Sequence, residues 1–75
     1  MDKSDKAKEL AELLTEGGYV KKGETFINRF NATKEIQTIF LTCSDLQKYG
    51  PVDAGEAEKI LEIFIEEKVL IDKSV

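Results

Sequence analysis

A mainly α-helical domain with a small β component, three to four helices and a short two-stranded or three-stranded sheet, is the fold class this sequence predicts. Amphipathic helical stripes near both ends of the chain point to the helices. Glycine and proline between them mark the turns, and brief β-branched or aromatic runs leave room for short strands only. With 75 residues there is space for one core, so 1–75 reads as a single domain, with a helical extension over 1–35 packed on a core over 36–72.

The elements follow in order. From Asp5 to Glu16, Ala7, Leu10, Ala11 and Leu14 form the i, i+3, i+4, i+7 stripe of an amphipathic helix, which Ser4 or Asp2 can cap. Gly17-Gly18 supplies the positive φ that closes such a helix, and Tyr19-Val20 packs back on its last turn. Lys21-Lys22-Gly23 reads as a turn, and Glu24 to Phe30 as a second helix with Phe26, Ile27 and Phe30 on one side. Residues Ile36 to Cys43 fit a helical stripe, yet Thr38-Ile39-Phe40-Leu41-Thr42 also suits a buried strand; a short strand at Ile39–Thr42 is favoured, because Ser44 can cap a new helix over Asp45–Tyr49. Gly50-Pro51 stops that helix. Asp53 and Glu56 then form a capping-box-like pair, opening a helix to about Lys68 with Ala57, Ile60, Leu61 and Phe64 inward. Val69-Leu70-Ile71 is a short apolar run able to pair with the Ile39–Thr42 strand.

Leu41-Thr42-Cys43-Ser44-Asp45-Leu46, Gly50-Pro51-Val52, Ala57, Ile60-Leu61 and Val69-Leu70-Ile71 together resemble a winged helix-turn-helix over residues 36–72. The resemblance implies a short strand leading into a helix, a tight turn, a second helix that reads the partner, and a strand that begins the wing. Two departures stand against the DNA contact it would imply. The outward positions of the second helix carry Asp53, Glu56, Glu58 and Glu62 against Lys59, which repels phosphate. Only Asp72 to Val75 follow the last apolar run, so the wing is expected to be missing or vestigial.

Charge bounds the partners further. The chain carries a net −4, distributed unevenly: residues 1–34 hold seven basic and six acidic side chains, residues 35–75 four basic and nine acidic. An acidic chain is not drawn non-specifically to nucleic acid or anionic lipid, and no run approaches the ~18 apolar residues of a membrane span, so a membrane is not an expected partner. The single Cys43 cannot form an internal disulfide and nothing resembles a signal peptide, which fits a cytoplasmic location. A core of this size supplies about 3–5 kcal/mol, so a homodimer is a reasonable expectation.

Catalysis finds no support in the composition. The chain has no histidine, which removes the commonest general base and metal ligand. One cysteine does not make a zinc site, and Cys43, between Leu41 and Leu46, reads as a small buried hydrophobe. Gly17, Gly18 and Gly23 serve turns, since no phosphate-cradling motif surrounds them. The carboxylate pairs Glu56 with Glu58 and Glu66 with Glu67 lack the alternating Asp/Asn pattern of a calcium loop. Phe26, Phe30, Phe40 and Phe64 are expected in the core, with Tyr19 and Tyr49 nearer the surface.

Not an enzyme, then, and with no cofactor, the chain is expected to be a small regulatory module. Its first expected partner is a protein with a basic surface, met through Asp53, Glu56, Glu58, Lys59 and Glu62. A second expectation is a dimeric DNA-binding transcriptional regulator using Lys21, Lys22, Arg29, Lys48 and Lys59. A third is a phage-type or plasmid-type acidic inhibitor whose carboxylates stand in for phosphates.

Overall fold

The computed structural model describes residues 3–20, 23 and 25–73; Asp2, Lys21 and Lys22, given roles above, lie outside the described residues. Helix α1 spans Lys3–Glu16, with Ser4 inside it rather than capping it. Its stripe is as the spacing predicts: Ala7, Leu10, Ala11 and Leu14 are all buried. The helix closes with the amide of Gly18 on the Thr15 carbonyl at 3.3 Å and that of Tyr19 on Leu14 at 3.0 Å, and Gly18 takes φ 79° at the left-handed position this closure requires.

After this turn the structure departs from the sequence reading. Residues 25–30 are not one helix, and Glu24 lies outside the described residues. Thr25–Ile27 forms strand β1, and helix α2 begins at Arg29 and runs to Thr42. Asn28 sets the boundary: in extended conformation it accepts from the amides of Phe30 at 3.1 Å and Asn31 at 3.3 Å, satisfying two donors that a helix start leaves unpaired. The strand expected at Ile39–Thr42 is therefore the last turn of α2. Its threonines fit the helix because Thr38 and Thr42 each return the hydroxyl to the carbonyl four residues back, at 3.0 and 2.9 Å. Ala32, Ile36 and Phe40 make the buried stripe.

Ser44 caps nothing; residues 44–46 are a turn, followed by one turn of 3-10 helix at Gln47–Tyr49 in place of the expected Asp45–Tyr49 helix. Helix α3 spans Ala54–Glu66, and the Asp53 side chain caps it by accepting from the Glu56 amide at 2.7 Å. Ala57, Ile60, Leu61 and Phe64 are buried. The helix stops short of Lys68, which instead takes φ 60° as the amides of Lys68 and Val69 close back on Ile65 and Phe64.

Strand β2, Leu70–Asp72, does not pair with residues 39–42. It lies parallel to β1, with Thr25 opposite Leu70, Phe26 opposite Ile71 and Ile27 opposite Asp72. Phe26 and Phe30, expected inside, are 68% and 67% exposed. Phe26 occupies the strand position opposite in phase to half-buried Ile27, and Phe30 lies on the flank of α2 away from Ala32, Ile36 and Phe40. One apolar cluster unites all three helices with Leu46, Val52, Val69 and Leu70. The division expected between residues 35 and 36 falls in the middle of α2.

Candidate functional site

The five residues nominated for docking lie at the start and along the solvent side of α3, and the fold treats them differently. Asp53 is committed to its cap. Glu56 turns toward α1, where its carboxylate comes within 3.4 Å of Lys6 Nζ, and its side chain is 25% exposed. Glu58 turns the other way, toward α2: it accepts from the Arg29 guanidinium, and Thr33 Oγ1 stands 3.1 Å from its other oxygen. Lys59 and Glu62 remain outward, paired with each other at 3.6 Å. The acidic helix seen in sequence is thus two populations, one spent inside the fold and one facing solvent.

Arg29 is the centre of the inner population. It opens α2, donates from Nε to Asp72 Oδ2 at 2.8 Å and from a terminal nitrogen to Glu58, so one side chain joins α2, α3 and β2. The Asp72 side chain is only 6% exposed. Hydrogen bonds from Asp72 first, then Glu58, push the guanidinium pKa above its ordinary value, so Arg29 is charged at every accessible pH. Sequence reasoning offered Arg29 as a phosphate contact and did not single out Asp72. The only local trace of Asp72's role is a carboxylate directly after the run Val69-Leu70-Ile71, where burial without a cation would be costly.

Of the other cations nominated for nucleic acid, Lys48 and Lys59 are among the described residues and each has a neighbour on its own element. Lys59 is held by Glu62, and Lys48 lies over the Tyr49 ring, 5.1 Å from its centroid. A second connection fixes the turns at the opposite end: Tyr19 donates its hydroxyl to Asp45, and that bond, followed by burial, pushes the phenol up to about 12. Cys43 is half-buried against the core where α2 ends.

Between α1 and α3 runs a groove of about 230 Å³ with Ala11, Phe64 and Val69 in its floor and Lys8, Glu12, Glu16 and Glu67 on its rim. These three carboxylates and those of Glu62 and Glu66 are exposed. Among the described residues no group of three or more metal-ligating side chains is placed to hold an ion, and no helix is long and apolar enough to cross a membrane. No family model matches this chain, and the comparisons with curated proteins and with solved structures return no significant match.

Proposed function

We propose that this chain is a non-enzymatic, winged-helix-like module that binds a protein with a basic surface. The order helix, strand, helix, turn, helix, strand supports the winged-helix-like reading, with α2 and α3 as the paired helices. The observation that favours protein over DNA is the fate of the cations. Arg29 is bonded to both Asp72 and Glu58, while Glu66 and the rim carboxylates of α1 face solvent. Releasing Arg29 to a phosphate would break its hydrogen bond to the buried Asp72 carboxylate, which opposes binding. An outward acidic face instead attracts a basic partner and sets its orientation as it approaches.

The contact residues shift accordingly. Glu62 and Glu66 carry the docking, with Glu12 and Glu16 beside the groove, while Asp53, Glu56 and Glu58 hold the helix in place. The test pairs two measurements. Titration into a labelled mixed-sequence duplex at low salt is expected to show no binding, and binding that falls steeply with added salt overturns the proposal in favour of a DNA regulator. A partner retained by the wild-type chain is expected to be lost on Glu62→Lys with Glu66→Lys and kept on Glu35→Lys, an exposed change on α2; equal retention by both variants removes α3 as the docking face.

A further inference from the structure

Helix α2 is apolar on two sides. Ala32, Ile36 and Phe40 face the core, while Phe30 and Leu41, 67% and 59% exposed, lie on another flank three turns apart. A helix with apolar residues all round is normally covered all round. Among the described residues, the large exposed hydrophobic side chains are these two and Phe26 of the adjoining strand. Between Phe30 and Leu41 the same flank carries Lys34 and Gln37. At about 100° per residue, the four positions fall within about 60° of arc.

The geometry points to a second copy of this chain as the occupant of that flank: two α2 helices pack antiparallel about a two-fold axis, Phe30 of each against Leu41 of the other. The spacing 30, 34, 37, 41 reads the same from either end. An isologous interface requires this property, since a contact from one position to another must be returned by the two-fold axis. In that register Phe30 meets Leu41 twice, and each Lys34 meets a Gln37 instead of a second lysine. Lys34 already lies over its own Phe30 ring, 4.6 Å from the centroid, with its stem along the apolar stripe.

Charge selects the same occupant. Two chains of net −4 repel over most of their surfaces, whereas this stripe holds no carboxylate and one cation. There is also room for the incoming leucine. Beside Phe30 an open groove separates α2 from α3; on its α3 wall Ala54 and Gly55 stand next to Glu58, whose carboxylate is held by Arg29. A contact confined to one pair of helices sits at the low end of specific interfaces, below ~1,200 Å² in total, which corresponds to a weak dimer. The inference does not depend on the protein partner proposed above, which meets the outward carboxylates of α3.

Sedimentation equilibrium over a concentration series tests it. The wild-type chain is expected to pass from monomer to dimer in the micromolar range, with little change on added salt. Phe30→Glu and Leu41→Lys, both at exposed positions, are each expected to weaken the dimer by roughly tenfold or more with an unchanged circular-dichroism spectrum. An equimolar mixture of the two is expected to restore association, because the antiparallel register places Glu at 30 of one chain against Lys at 41 of the other. A monomer at every concentration overturns the inference and leaves the stripe to a helix of a different protein. A dimer indifferent to both substitutions overturns the site, and a mixture that stays monomeric overturns the register.

Discussion

Helix α3 shares one apolar core with α1 and α2, and the polar contacts at the margins of its two helix junctions differ. Against α1 the contact is apolar, built from Ala7, Leu10, Ala11 and Leu14 on one side and Ala57, Ile60, Leu61 and Phe64 on the other, with one Lys6–Glu56 pair at the rim. Toward the start of α2 and strand β2 the junction is ionic, with Arg29 set between Glu58 and Asp72. Burial without direction stabilises the first, and it tolerates small adjustments. The second depends on one side chain reaching two carboxylates, so it fixes relative position more than it adds stability.

Core truncation on the apolar side should produce the largest effect. Leu14→Ala is expected to cost about 2–5 kcal/mol in urea denaturation, comparable to the whole stability of so small a domain. A loss well under 1 kcal/mol would show that the α1 contact is not the principal support. On the ionic side, Arg29→Ala removes the guanidinium from a carboxylate that is 6% exposed and is expected to cost about 1–3 kcal/mol. Arg29→Lys should recover only part of this, because an ammonium does not span both acids. Full recovery would mean that charge alone, without the fork geometry, holds the junction.

Smaller effects refine the comparison. The closures of α1 and α3 share two hydrogen bonds in the same places, but Gly18 occupies the left-handed position in one and Lys68 in the other. Lys68→Gly is therefore expected to stabilise the chain by about 0.5–1 kcal/mol in the same denaturation assay, whereas Gly18→Ala should destabilise it. The rim pair should matter least: Lys6→Ala is expected to change stability by under about 1 kcal/mol, and less again at high salt.

A pH titration reaches the third connection, between Tyr19 and Asp45. The phenol is raised from 10.0 to about 12 in the folded chain, so the neutral, hydrogen-bonded form is favoured by folding. Its contribution is whole below about pH 10 and is lost as pH rises through about 12. In a Tyr49→Phe background, phenolate absorbance should report this high value, and Asp45→Ala should bring it down toward the ordinary one. An unchanged titration would remove Asp45 as the cause.

The regions legible in the sequence were those whose burial is one-sided. Helices α1 and α3 each show a single clean stripe, and Asp53 announces the start of α3 three residues ahead of the amide it accepts from. Helix α2 was not legible, because apolar residues on its second flank, Phe30 and Leu41, filled in the pattern and made Thr38 to Thr42 resemble a strand. Asn28 was the overlooked signal: a residue suited to capping, placed directly after the β-branched and aromatic run Thr25-Phe26-Ile27. The candidate site was legible as composition and not as geometry. The acids of α3 were visible, yet which of them are spent internally depends on Lys6, Arg29 and Asp72, each distant in sequence from the carboxylate or cation it meets.

The parallel register of Thr25–Ile27 on Leu70–Asp72 brings together segments separated by most of the chain. Neither strand has any other partner strand among the described residues, so the sheet gains nothing until α2 and α3 are both in place. Loop closure over such a span is paid late in folding. The sheet therefore ties the start of α2 to the end of α3, and the Arg29–Asp72 contact closes the same junction.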